Sequence, residues 1–154
     1  MREPFERIVA EHGETVWRVC RGLLPQHDAE DAWSETFLAA LGAWDRFEGD
    51  RVRGWLATIA HRKALDVLRA SARVVTPEGG VPDSPAPPRA RDLDLWAALA
   101  RLPDGQRAAV VHHHIAGLPF DEVALVTGTT PVAARKAASD GVRRLRTLLA
   151  LEDA

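Results

Sequence analysis

Apolar positions along the chain recur every three to four residues, the period of a helix with one face turned inward. They nowhere sustain the strict alternation of a half-buried strand. Over 28–45, an advance of about 100° per residue gathers Trp33, Phe37, Ala40, Leu41 and Trp44 into one stripe and sets Asp28, Asp31 and Glu35 opposite it. Over 130–149 the same construction collects Ala134, Ala138, Val142, Leu145, Leu148 and Leu149 on one face, with Arg135, Lys136, Ser139, Arg143 and Arg146 on the other. The pattern predicts helices near 4–23, 28–45, 51–71, 92–101, 104–116, 119–126 and 130–149. Asp28 is the expected N-cap of the second, and Gly49-Asp50 separates it from the third. Leu102-Pro103, Gly117-Leu118-Pro119 and Gly128 punctuate the later ones.

The periodicity lapses between Val74 and Arg91, where Pro77, Gly79, Gly80, Pro82, Pro85, Pro87 and Pro88 crowd together. A Pro-rich stretch favours extended backbone and reads as a spacer that holds its flanks apart. The expected fold is therefore all-α: a three-helix unit over 1–72, a linker over 73–91 and a second helical unit over 92–150. A chain of 154 residues that is 46% apolar can bury a core in each unit. The lone Cys20 excludes an internal disulfide. The N-terminus lacks the apolar centre of a signal peptide, and no run approaches the ~20 apolar residues of a membrane span, so the cytoplasm is the expected compartment and no membrane insertion is expected.

The formal net charge of −2 conceals a segregation: 1–50 sums to −6, 51–73 to +5 and 105–150 to +3. An acidic helix followed directly by a basic one suggests two partners of opposite charge held by one rigid element. On the third helix Arg51, Arg62 and Arg69 line up beside Trp55, with Lys63 adjacent. Guanidinium groups interleaved with an indole suit phosphates and an unstacked base, although Gly54-Trp55-Leu56 is equally a core-packing pattern. Asp66 is placed to pair with Arg62 or Arg69.

Near the C-terminus a short helix, the turn Thr127-Gly-Thr-Thr130 and a longer helix opened by Pro131 follow the helix-turn-helix plan, with the basic face free for a groove. The run His112-His113-His114 invites a metal, but consecutive helical residues point about 100° apart and cannot converge on one ion. No catalytic grouping, Gly-rich phosphate loop or Cys pair is present, so neither an enzyme nor a cofactor or metal site is expected.

Three segments together resemble the small bacterial RNA polymerase sigma factors of the extracytoplasmic-function type. They are Asp28-Ala-Glu-Asp31 with Ser34-Glu-Thr-Phe-Leu38, Trp55-Leu-Ala-Thr-Ile-Ala-His-Arg-Lys-Ala-Leu-Asp-Val-Leu-Arg69, and Leu99-Ala-Arg-Leu-Pro-Asp-Gly-Gln-Arg-Ala-Ala-Val-Val111. The resemblance spans about 8–149 and keeps both of the family's domains in order. It implies that Asp28, Asp31, Glu35 and Leu38 dock the clamp helices of the largest polymerase subunit. It further implies that Arg51, Arg53, Trp55, Arg62, Lys63 and Arg69 contact the minus-10 promoter element as it melts, with Phe47 in the loop that captures an unpaired base. The second domain would lean on the flap of the other large subunit and set Thr130, Pro131, Arg135, Lys136, Ser139, Arg143 and Arg146 against the minus-35 element. An anti-sigma factor is a candidate further partner. The chain departs from the family at Ser34, where Gln is usual, at Arg62, where Asn is common, and in the recognition helix at Ala137 and Asp140, which stand where basic residues are frequent.

The resemblance implies a promoter-specificity subunit that binds core polymerase and helps open the duplex. Two rivals stand beside it: a helix-turn-helix regulator acting without polymerase, and a sigma-like protein that occupies polymerase without reading DNA.

Overall fold

The computed structural model describes residues 3–73 and 91–152. The greater part of the expected linker, 74–90, lies outside them. All regular structure among the described residues is helical: α1 Phe5–Leu23, α2 Gln26–Ala43, a 3₁₀ turn Trp44–Arg46, α3 Val52–Arg73, α4 Arg91–Ala100, α5 Asp104–Val110, a π-helical turn Val111–Ile115, α6 Phe120–Thr127 and α7 Pro131–Glu152.

The first three helices form a bundle whose contact faces are built from small residues. On α2 the buried positions are Ala29, Ala32, Thr36, Phe37 and Ala40. Alanines let α1 and α3 approach closely, and the Thr36 hydroxyl satisfies itself on the Ala32 carbonyl at 2.6 Å. This corrects the expected stripe at one position. Leu41 is 55% exposed, because the face centred on the alanines is turned away from it. The aromatics flank that face. Trp33 donates to the Gly13 carbonyl at 2.9 Å, Trp33 and Phe37 pack at 4.9 Å, and Trp44 donates to the Glu3 carbonyl. Asp28 is likewise not the cap: α2 begins two residues earlier, behind Pro25, which leaves Asp28 in the first turn where its charge favours the helix dipole. Cys20 is fully buried, and burial pushes its thiol up to about 12.

In the second half one arginine ties the end of α4 to the start of α5. Arg107 donates to the carbonyls of Leu99 (2.9 Å), Ala100 (3.0 Å) and Leu102 (2.6 Å) and pairs with Asp104 at 3.0 Å. Leu99 and Ala100 end α4, where carbonyls lack amide partners further along the helix, and Leu102 lies in the connection to α5. Arg107→Ala is expected to cost about 2 kcal/mol, since hydrogen bonds to a charged donor exceed neutral ones; urea unfolding of the variant measures it.

The helix expected over 104–116 is not uniform. Beyond Val110 it widens into the π-helical turn, with the Ala116 amide bonding the Val111 carbonyl and the Leu118 amide the His112 carbonyl. Gly117, at φ 76°, then reverses the chain into α6. The turn before α7 is equally specified. Gly128 takes the left-handed conformation, the Thr129 amide closes on the Ala124 carbonyl, and the Thr130 hydroxyl caps α7 by accepting from the Ala133 amide at 3.1 Å.

The two halves are not held apart. One apolar cluster runs from Ile8, Val19, Leu56 and Ala60 in the first half to Leu99, Val111, Leu118 and Val123 in the second. A Cβ at Gly22 would lie 2.7 Å from Val111 Cγ2, so α1 meets the π-helical turn at a bare glycine. Small contact residues permit this closeness, and it removes more apolar surface from water than two separate units would.

Candidate nucleic-acid and polymerase interfaces

On α2, Asp31, Glu35 and Leu38 are exposed, with Leu38 at 68%, and Asp28 is half-buried beside them. The exposed Leu41 extends this face, giving carboxylates flanked by leucines rather than a purely charged strip. An exposed pair of leucines beside acids is the composition of a docking surface.

The minus-10 candidates divide. Trp55 is half-buried and stacks on Phe47 at 4.4 Å and 28°, while Phe47 in turn lies parallel to Trp44 at 5.8 Å. Trp44, Phe47, Glu48, Gly49, Asp50, Val52 and Glu3 line an open pocket of about 700 Å³. An aromatic wall with carboxylates at the rim can stack a base and accept from its amino groups. Arg62 and Arg69 are exposed on α3, and Lys63 is half-buried. The expected pairing of Asp66 with Arg62 or Arg69 is absent from the ion pairs among the described residues: along an exposed helix such a pair gains little over hydration.

Arg51 faces elsewhere than expected. It precedes α3 and reaches Asp121 at 3.6 Å and Glu122 at 3.7 Å in the second half. Glu122 also crowds Gly54, where a Cβ would sit 2.8 Å from its Oε1, and a Cβ at Gly117 would meet Arg53 at 3.3 Å. The start of α6 therefore packs against the first turn of α3 at Gly54, while Arg51 and Arg53 stay exposed.

A second contact between the halves is buried. His61 Nδ1 and His112 Nε2 lie 3.0 Å apart, and His112 is wholly inaccessible, with Nδ1 unpartnered. A bare lone pair is cheaper to bury than an N–H, so the favoured tautomer protonates His112 Nε2, which donates to His61. Burial, and then the neighbouring imidazole, pull His112 down to about 3; burial also lowers His61. His113 instead stacks on Phe120 at 3.8 Å with Nδ1 at 2.8 Å from the Leu118 carbonyl, and His114 is exposed. The three histidines thus share no common centre, His112 turning to His61 while His113 and His114 pack edge-on at 4.7 Å, and no group of three or more His, Cys, Asp or Glu among the described residues could hold a metal ion.

On α7 the outward face is open. Pro131, Arg135, Lys136, Ser139, Arg143 and Arg146 are exposed, and so is Thr130 before it, while Ala134, Ala138, Leu145 and Leu148 are buried. Arg135 lies over Phe120 at 4.8 Å. Asp140 binds Lys136 at 2.8 Å and Arg143 at 3.5 Å, and the bond from Lys136 holds its carboxyl below the usual range. Val132, missed by sequence reasoning, sits in the middle of this basic face and is 79% exposed. An apolar residue on the polar side of an otherwise regular helix was the available signal. Among the described residues no helix is long and apolar enough to cross a membrane.

Comparison with known proteins matches this layout in both halves. Residues 8–74 match the Sigma-70 region 2 family and residues 92–145 the Sigma-70 region 4 family. The chain is 34% identical to RNA polymerase sigma factor CarQ of Myxococcus xanthus over 96% of this chain and 90% of that protein. It is 32% identical to RNA polymerase sigma factor CnrH of Cupriavidus metallidurans over 80% and 75%. Its fold is similar to that of CnrH in complex with the cytosolic domain of CnrY (TM-score 0.72, 28% identity, 96% of this chain and 88% of that one). It is also similar in fold to the sigma factor RpoE bound to the anti-sigma factor NepR from Bartonella quintana (TM-score 0.83, 24% identity, 94% and 96%). The chain belongs to the sigma-70 family, as a promoter-directing RNA polymerase sigma factor of the extracytoplasmic-function type.

Proposed function

We propose a division of labour among the faces of this sigma factor. Residues 1–72 bind core polymerase and the minus-10 element, 92–150 bind the minus-35 element, and 73–91 link them. The outward face of α2, through Asp28, Asp31, Glu35 and Leu38, docks the clamp helices of the largest polymerase subunit, and the second half rests on the flap of the other large subunit. The Phe47 loop and α3, with Arg51, Arg53, Trp55, Arg62, Lys63 and Arg69, take the melting strand. Thr130, Pro131 and the basic face of α7 enter the major groove.

The observation that carries this reading is the α7 face: a capped, turn-oriented helix that exposes its cations and buries its alanines and leucines. Recognition helices are presented to duplex DNA in this way, with N-terminal residues at the base edges. The protein transforms no substrate. It acts in the cytoplasm with polymerase, capturing unstacked bases against a cost of a few kcal/mol for their unpairing. An anti-sigma partner belongs to this reading as well: the relative CnrH is solved with the cytosolic domain of CnrY, and RpoE, similar in fold, with the anti-sigma factor NepR.

Charge reversal at Asp31 and Glu35 is expected to weaken core polymerase binding by about tenfold, on the order of 1.4 kcal/mol, without altering the fold. Wild-type affinity in the D31K/E35K variant, measured by titration against core enzyme, would exclude the α2 face. Run-off transcription from genomic fragments tests the whole reading: a promoter-dependent transcript is expected when the chain is added to core polymerase.

A further inference from the structure

Between the π-helical turn and α7 lies a cleft of about 450 Å³, lined on one wall by His113 and His114 and on the other by Arg135, Ser139, Arg143 and Arg146. Phe120 also lines it, carrying both the stacked His113 ring and the Arg135 guanidinium. No acidic side chain lines it. Asp140 turns to Lys136 and Arg143, and at the start of α6 Asp121 and Glu122 turn to Arg51. The cleft is therefore a concentration of donors and cations: Asp121 and Glu122 are engaged outside it, and Asp140 reaches it only through Arg143 at 3.5 Å.

We propose that this cleft seats a backbone phosphate of the bound duplex, and that His113 and His114 make the contact as imidazolium groups, taking up a proton on binding. The inference rests on the reading of α7 as the duplex-facing helix and names two residues outside that helix. His113 Nδ1 lies 2.8 Å from the Leu118 carbonyl, which can only accept, so Nδ1 carries the proton and Nε2 is bare in the neutral ring. A phosphodiester oxygen also only accepts. A hydrogen bond from Nε2 to phosphate therefore requires the second proton.

His114 stands edge-on to His113 at 4.7 Å, and burial, followed by the charge of His113, lowers its titration from the ordinary imidazole value. In the free protein burial and the second imidazole oppose protonation of His114. A phosphate reverses the sign of the local field and favours it. Because the bound state holds the proton more tightly, affinity is greatest at low pH and falls as pH rises through the imidazole range.

The full-length chain and a fluorescein-labelled duplex of random sequence, roughly 30 base pairs long, test this, since a phosphate contact is independent of sequence. Dissociation constants are measured at fixed ionic strength across pH 6 to 8, and against salt at pH 6. For the wild type, affinity is expected to fall several-fold per pH unit, with tenfold per proton as the limit. His114→Gln should shallow that dependence, and H113N/H114Q should nearly abolish it, with the log–log salt slope reduced by about 1. Asn at 113 retains a donor for the Leu118 carbonyl, and His114 is exposed, so circular dichroism should show both variants folded.

Duplex binding with an unchanged pH dependence in the double variant overturns the phosphate seat alone. Failure of the wild type to bind duplex even at low salt overturns the reading of α7 and the seat with it. A parallel arm separates the anion's source. If millimolar inorganic phosphate displaces the duplex beyond the effect of chloride at equal ionic strength, the cleft is a site for free anions and the backbone assignment fails.

Discussion

Lowering the pH from 7 to 4 is expected to remove about 3 kcal/mol of folding stability through one side chain, His112. In the folded protein its value lies near 3, against about 6.5 unfolded, so below pH 6.5 the unfolded chain binds the proton that the native site refuses. Stability is complete above about 6.5 and declines by about 1.4 kcal/mol per unit as pH falls, levelling out near 3. The physical cause is burial without compensation: His112 Nδ1 has no partner, and the facing group is another imidazole rather than a carboxylate. Urea unfolding at half-unit pH intervals measures the slope. His112→Leu, close in volume and unable to titrate, should flatten it between pH 4 and 6.5. A variant that keeps the wild-type slope would show that the acid sensitivity resides elsewhere.

The second large effect belongs to α7. Replacing Arg135 and Lys136 with Ala is expected to lower duplex affinity about a hundredfold at moderate salt, on the order of 3 kcal/mol, and to reduce the salt slope by about 2. The two residues are not equivalent in the structure. Arg135 is held over Phe120, so its guanidinium is pre-oriented, whereas Lys136 is bonded to Asp140 and must exchange that partner for DNA. Asp140→Ala should therefore raise affinity, because it releases Lys136 and Arg143 together. Electrophoretic mobility shifts or anisotropy with one duplex across salt concentrations would resolve both signs. A D140A variant that binds more weakly would mean that the carboxylate orders the two cations for the groove rather than competing for them.

Helix positions were legible because each bundle helix carries its own amphipathic record, and the turn before α7 because glycine and threonine leave few alternatives there. Legibility failed where a position depends on what lies opposite. Leu41 looked like core because bulky residues dominate a stripe drawn on one helix. The face in fact buried on α2 is set by Ala29, Ala32, Thr36 and Ala40, which fit against α1 and α3. The ion pairs of Arg51 could not be foreseen because nothing local shows that Asp121 and Glu122, seventy positions on, come beside it. The pairing of His112 with His61 needed the packing of the halves, and the Pro-rich composition between them argued against that packing.

That packing bears on promoter geometry. Elements centred near minus-10 and minus-35 are separated by about 25 base pairs, or about 85 Å of duplex at 3.4 Å per step. A compact body of this chain length has a radius of gyration of only about 15 Å. With the minus-10 element proposed for the Trp44–Phe47 pocket and the minus-35 element for the α7 face, the two cannot be reached together while Gly22 rests on Val111 and His61 on His112. On the proposed assignment, reading a whole promoter begins with a parting of the halves, and the apparent affinity for it is the intrinsic affinity scaled by the fraction of molecules already parted. A substitution at Gly22, whose neighbours are Val111 and Trp96 rather than any of the side chains proposed to face DNA, would then change how readily the protein starts transcription without changing which sequence it reads.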